Sequence, residues 1–229
     1  MSRPLIVAID GPAGAGKSTV SRLLARRLGL SLVDTGAIYR CVALAAGRAG
    51  VALEDDAGLG ALLPGLKITF KVVGEDNRVY LDGEDVSAAI RTPEISMGAS
   101  RVSGRPVVRD GLLAVQRRLA LSAERGAVLE GRDIGTVVFP DADIKFFLEA
   151  NPEVRARRRY EELFQKGVES TLGEVLQDQN RRDRADSERE VAPLKAAPDA
   201  VRLDSSSLPL SDVVHELESR VKALLDARA

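Results

Sequence analysis

The 229-residue sequence predicts an α/β fold: a five-stranded parallel sheet flanked by helices, with an antiparallel lobe and a helical segment inserted into it. Three observations carry that expectation. Apolar runs of strand length alternate with stretches of helical periodicity, a glycine-rich octapeptide joins the first run to the first helix, and residues 67–86 switch to period two.

Leu5-Ile-Val-Ala-Ile9 is the first strand, closed by Asp10. Val20, Leu23, Leu24 and Leu28 follow at helical spacing, and residues 30–33 form the next apolar run, which makes a βαβ unit. Residues 127–130, 144–148 and 200–203 are nearly continuous apolar runs, the pattern of strands covered on both faces, and bring the count of parallel strands to five. Lys67-Ile-Thr-Phe-Lys-Val-Val73 alternates instead. Gly74-Glu-Asp-Asn77 separates it from Val79-Tyr-Leu81, which predicts an antiparallel hairpin. The last segment places Leu210, Val213, Val214, Leu217, Val221, Leu224 and Leu225 on one helical face, with Ser211 as N-cap and the lone His215 on the surface between them. Residues 155–189 are dense in Arg, Glu and Asp and broken by Gly167 and Gly173; they read either as a solvated helical pair or as a mobile lid that brings arginines to a phosphate.

Hydrophobic residues at 45%, charged residues at 29% and a net charge of −1 give no overall field to draw the chain to nucleic acid or membrane. Aromatic residues make up 3% and Trp is absent, which leaves little to stack on single-stranded bases. A single cysteine, Cys41, excludes an internal disulfide, and no CxxC or Cys/His cluster offers a metal site, so a reducing compartment is expected. The N-terminal apolar run is too short for a signal segment or a membrane span. The default expectation is therefore a cytoplasmic protein, one folded unit acting as a monomer.

Gly11-Pro12-Ala13-Gly14-Ala15-Gly16-Lys17-Ser18 matches GxxxxGK[ST] directly after a strand and before a helix, the context that a phosphate-binding P-loop requires. The fold class thereby becomes P-loop NTPase-type. Glycines let backbone N–H groups turn inward around phosphates, and the following helix adds its positive end. Lys17 then reaches the β- and γ-phosphate oxygens, Ser18 offers its hydroxyl to Mg²⁺, and Thr19 completes the donor-binding run. A merely structural glycine turn would leave Lys17 without a purpose.

The loop does not name the acceptor. A GTPase would need Asn-Lys-x-Asp, which is absent, and a motor ATPase would want an apolar strand ending in Asp or Asp-Glu, of which none stands out. Small-molecule kinases remain. Arg40, Arg109, Arg132 and the 155–189 set favour them, because anionic acceptors call for guanidinium groups near the carboxyl ends of the strands. Taken singly, each also reads as a surface arginine.

Four further motifs follow in order: Asp34-Thr-Gly-Ala-Ile-Tyr-Arg40, Ile90-Arg-Thr-Pro-Glu94, Glu130-Gly-Arg-Asp-Ile-Gly-Thr-Val-Val-Phe-Pro140 and Arg182-Asp-Arg-Ala-Asp-Ser-Glu-Arg-Glu-Val-Ala-Pro-Leu194. With them the chain resembles the bacterial cytidylate kinases, from about Pro4 to its last helix. The resemblance implies a core (1–62, 127–150 and 192–229), an antiparallel-sheet insert that binds the nucleoside monophosphate, or NMP (63–126), and a helical lid (151–191). It implies Mg-ATP as donor and CMP or dCMP as acceptor, the acceptor being contacted by Thr35, Arg40, Ser100, Arg109, Arg132, Asp133, Arg182, Asp186 and Arg189. Ser100, Arg109 and Asp133 resemble the cytosine readers, Arg182 and Asp186 the ribose contacts, and Arg40, Arg132 and Arg189 the phosphate ligands. Lys17, Arg132, Arg182 and Arg189 form the implied catalytic set. Thr35 keeps the hydroxyl of the Ser that relatives often carry there, and Ser100 lies in a variable stretch, Met97-Gly-Ala-Ser-Arg101.

Blander readings stand beside these. Asp34 and Asp133 also read as helix N-caps, Asp186 as a partner for a neighbouring arginine, Tyr39 as core, and Ser205-Ser-Ser207 equally as a turn or a donor-base contact. Two rival functions are a kinase for shikimate, adenylate or uridylate, whose compact versions lack the hairpin insert, and an ATP-switched regulatory module without turnover, which has no use for acceptor-side arginines.

Overall fold

The computed structural model describes residues 3–165 and 167–228. Along the chain run β1 (Leu5–Asp10), α1 (Lys17–Leu28), β2 (Ser31–Asp34), α2 (Thr35–Ala49), α3 (Asp56–Leu62), β3 (Ile68–Val73), β4 (Asp76–Leu81), β5 (Glu84–Asp85), α4 (Pro93–Ser103), α5 (Pro106–Leu121), β6 (Gly126–Gly131), β7 (Ile144–Glu149), α6 (Pro152–Gln165), α7 (Leu172–Glu188), β8 (Val201–Asp204) and α8 (Leu210–Asp226).

The five expected parallel strands form one sheet in the order β2-β6-β1-β7-β8. β1 is flanked by β6 and β7, with Leu5 opposite Gly126 and Val7 opposite Ile144, and all six of its residues are buried. A strand with neighbours on both edges and helices on both faces has no solvent side, which is why it is apolar up to Asp10. Its side chains alternate between two cores. Ile6 and Ala8 pack with α2, α5 and the antiparallel strands β3 and β4, whereas Val7 and Ile9 pack with α1 and α8. Cys41 is buried within the first core.

The period-two stretch forms the antiparallel hairpin, with Ile68 opposite Leu81 and Val73 opposite Asp76, so the turn narrows to Gly74-Glu75. Gly74 takes φ 63, a left-handed value that suits a tight hairpin connection. A third strand, β5, is two polar residues long and too short to show a period. Ile68, Val79 and Leu81 enter the first core, and Asn77 Nδ2 donates to Leu32 O of β2 at 3.2 Å.

Two expectations at the C-terminal end are corrected. β8 is an edge strand paired only with β7, so Arg202 and Asp204 are exposed and the strand is not covered on both faces. Ser211 is not the N-cap of α8: Pro209, with φ −57 already near the helical value, precedes a helix that starts at Leu210. The buried stripe is also narrower than expected, since Leu210 and Leu225 are 44% and 39% exposed while Val213, Val214, Leu217 and Val221 are buried. His215 lies on the exposed side, as expected. Among the described residues no helix is long and apolar enough to cross a membrane.

Candidate active site

The carboxyl end of β1 opens into the P-loop. At Gly11, φ is 148 and a Cβ would lie 2.1 Å from Leu148 O of β7, so only glycine fits where loop and sheet backbone touch. Gly16, with φ 87, is the N-cap of α1, which has no side-chain cap and no acidic residue in its first turn. The free N–H groups and positive end of α1 therefore face the loop. Lys17 is 6% exposed and its Nζ donates to Pro12 O at 2.7 Å.

Beside the loop are two buried carboxylates that sequence reading did not assign. Ser18 Oγ donates to Glu130 Oε2 at 2.8 Å, because β6 lies next to β1 and ends there. The apolar run 127–129 leads straight into Glu130, a signal present in the sequence but without a visible neighbour there. Desolvation is the largest influence on both Glu130 and Lys17, raising the carboxyl pKa and lowering the ammonium pKa. Asp10 accepts from the backbone N–H groups of Ile134 and Gly135, each at 2.8 Å, and burial outweighs those bonds and pushes its pKa up to about 6.

Residues expected on the acceptor side converge across three elements. Arg109 of α5 and Asp133, just past β6, form a pair whose side chains are each 7% exposed. Arg109 also donates to Ser103 O at 3.0 Å and lies 5.6 Å from the centre of the Tyr39 ring, so Tyr39 is both core and support. Arg189 Nη2 is 3.7 Å from Asp133 Oδ1, an ion-pair distance, and this nitrogen has no hydrogen bond among the described residues. Arg189 is also 3.7 Å from Asp186, whose Oδ2 accepts from Arg132 Nε at 2.8 Å. Arg109, Asp133, Arg189, Asp186 and Arg132 thus make one continuous network. Asp133 makes no side-chain cap, whereas Asp34 does cap α2, accepting from Ala37 N at 2.9 Å.

Arg40 lies 3.9 Å from Asp34, and Arg182 makes no ion pair or side-chain hydrogen bond among the described residues. The Arg182 pKa is lowered, first by burial and then by Arg159, with Arg40 contributing, which places Arg40 and Arg182 within each other's field. Thr35 is buried, and its hydroxyl donates to Glu130 O at 2.7 Å, which turns it into the sheet. Ser100 stands on α4, whose end reaches Arg109 through Ser103. Ser205 is buried with its Oγ donating to Ala15 O at 3.3 Å, and Arg158 Nη2 donates to Ser205 O at 2.6 Å.

No group of three or more His, Cys, Asp or Glu side chains suited to a metal occurs among the described residues. The donors present are a hydroxyl and a carboxylate, Ser18 and Glu130. They fit a hard cation that takes its remaining ligands from water and nucleotide phosphates.

The sequence profile described as cytidylate kinase matches residues 7–223. Proteins named cytidylate kinase from Geobacter sp. (strain M21) and Geobacter sulfurreducens are 55% and 56% identical over 221 and 220 residues, in both cases 96% of this chain and 94% of the relative. One from Pasteurella multocida is 44% identical over 229 residues, the full length of both chains. The matched region runs through the P-loop, the insert and the arginine-bearing helices alike, and on that extent the chain belongs to the cytidylate kinase family.

Proposed function

We propose that the protein transfers the γ-phosphoryl group of Mg-ATP to CMP and dCMP, yielding ADP and CDP or dCDP. The observation that carries this reading is the network of Arg109, Asp133, Arg189, Asp186 and Arg132 beside the P-loop, buried at Arg109 and Asp133. An anionic acceptor with a polar base would meet cations for its phosphate and a carboxylate for its exocyclic amine.

The acceptor needs no activation through a covalent intermediate, since its phosphate oxygen is already a nucleophile. That oxygen forms a bond to the γ-phosphorus as the bond to the β-bridging oxygen breaks, and the electron pair leaves with ADP. Gly11 to Thr19 would hold the donor, Lys17 exchanging its bond to Pro12 O for β- and γ-phosphate oxygens. Arg40, Arg132 and Arg189 would hold the acceptor phosphate in line, with Arg182 and Asp186 at the ribose. Ser18 and Glu130 would hold Mg²⁺, which supplies charge neutralisation between the transferring phosphates. Asp133 would accept from cytosine N4, with Arg109 and Ser100 completing the base site and Thr35 backing it from the sheet. Uracil would present O4 to the same carboxylate, lone pair against charge.

The division into core, NMP insert and lid belongs to this reading, with α6 and α7 closing over the reactants to exclude water. So does a monomer in the cytoplasm, where the free Cys41 would stay reduced. Initial rates with Mg-ATP and CMP, dCMP, UMP, AMP or shikimate test the function. CMP is expected to exceed UMP in kcat/KM by a large factor, up to the order of 10⁴ that polar readout of a base allows. Equal values for the two would sink the cytosine assignment, and no ADP with any acceptor in the panel would favour the regulatory module.

A further inference from the structure

Arg155 opens the arginine-rich stretch, yet it faces neither solvent nor the acceptor network. It lies in the first turn of α6, is buried, and spends its donors on three separate parts of the chain. Nε donates to Ala150 O at 2.8 Å, and Nη1 donates both to Ala13 O of the P-loop at 2.8 Å and to Asp183 Oδ2 of α7 at 2.6 Å.

The bond to Ala13 O has a consequence for phosphate binding. Ala13 C=O and Gly14 N–H belong to one planar trans peptide and point in opposite directions. A guanidinium that holds the carbonyl outward therefore turns the Gly14 N–H inward, toward the cradle where phosphate oxygens would lie. α6 and α7 also press close on Gly14 itself: a Cβ there would meet Arg155 Cβ at 3.1 Å and Gln179 Oε1 of α7 at 3.2 Å.

The bond to Asp183 ties the same guanidinium to the acceptor-side helix. Gln179 and Asp183 are one turn apart on the face of α7 that meets the loop, and Gln179 Nε2 donates to Pro152 O at 3.3 Å. Arg182 and Asp186 ride on the same rigid helix. Asp183 also keeps a buried Oδ1 with no hydrogen-bond partner among the described residues, beside Arg155.

We infer that Arg155 is a positioning residue that couples the donor site to α7, so that nucleotide in the P-loop and acceptor at the α7 arginines strengthen each other's binding through one guanidinium. The coupling is reciprocal by linkage. It rests on the P-loop being the donor site and α7 lying on the acceptor side.

Calorimetric titration of CMP, with and without Mg and a non-hydrolysable ATP analogue, measures it directly. In the wild type the analogue should tighten CMP by about fivefold or more, the lower end of ordinary coupling. In Asp183→Asn, and in Arg155→Lys, whose ammonium lacks the fork needed to hold three oxygens, the enhancement should fall below about twofold. A merely structural role would lower the melting temperature of both variants and leave the enhancement intact, and that result overturns the inference. Hydrogen exchange of the wild type gives a second reading that needs no variant: the analogue alone should raise protection across Leu172–Glu188, and unchanged protection there would also overturn it. Failure of the underlying assignment looks different, as absence of CMP or nucleotide binding altogether rather than two ligands that bind independently.

Discussion

Replacing Lys17 with Met should abolish turnover and, at the same time, stabilise the fold. Lys17 is 6% exposed, and burial pushes the pKa of its ammonium group from 10.5 down to about 7. At 1.36 kcal/mol per pKa unit, a fall of that size caps the cost of keeping the charge inside at about 5 kcal/mol. Methionine has a similar volume and no charge, but it gives up the bond to Pro12 O at 2.7 Å. Charged hydrogen bonds contribute about 1.5–3 kcal/mol, so a net gain of about 2 kcal/mol is expected. In a chain of this size that is about 4–8 °C in melting temperature. The gain should depend on pH. Below pH 7 the lysine is charged in both folded and unfolded chains and the full cost is present; as pH rises from about 7 toward 10.5 the folded lysine sheds its proton first and the cost disappears. Melting followed by circular dichroism should therefore show a larger advantage for the variant at about pH 6 than at about pH 10. A variant that melts at or below the wild type at the lower pH, or whose advantage grows with pH, would refute the reasoning. Retained turnover would refute the P-loop assignment itself, because loss of one pre-positioned charge stabiliser costs at least about 10²-fold.

Asp133→Ala leaves Arg109 and Arg189 buried without their carboxylate, so urea denaturation should register a loss of about 3–5 kcal/mol, and the CMP/UMP ratio of kcat/KM should narrow; an unchanged ratio would move base recognition elsewhere. Arg182→Ala should behave differently, cutting turnover and CMP affinity more than ATP affinity while hardly moving the melting temperature, since Arg182 has no ion pair among the described residues and stands near Arg159 and Arg40; equal losses for both substrates would contradict its placement. Glu130→Gln keeps an acceptor for Ser18 but removes the charge, and titrating rate against Mg²⁺ should show a requirement raised by about 10- to 100-fold. A magnesium dependence that does not change would take Glu130 out of the metal site.

Much of this protein is legible locally. The alternation of apolar runs and helical stripes specifies five buried or half-buried strands, because periodicity records which faces meet solvent. GxxxxGK[ST] specifies the P-loop for a similar reason: φ values of 75 and 87 at Gly14 and Gly16 would strain any side chain there, and the backbone of β7 pressed on Gly11 excludes one. The hairpin at 67–86 declares itself by period two, while β5 does not, being two polar residues that pair only because β4 is already there.

What the sequence leaves undetermined is which strand lies beside which, and the chemistry outside the motifs depends on that. Glu130 is 112 residues from the hydroxyl it holds, Asp10 is 124 from Ile134, and Arg155 is 142 from Ala13. No local signal distinguishes these charges from surface ones; the order β2-β6-β1-β7-β8 brings them beside the P-loop, where burial raises the pKa of Glu130 and of Asp10. The same order leaves β8 at an edge with two exposed residues, against the appearance of its apolar run. Residue types and spacing therefore determined the family, the loop and the candidate ligands. Tertiary structure alone decided which carboxylate backs Ser18 and which guanidinium braces the P-loop, because hydrogen bonds and desolvation depend on distances that exist only once the sheet is assembled.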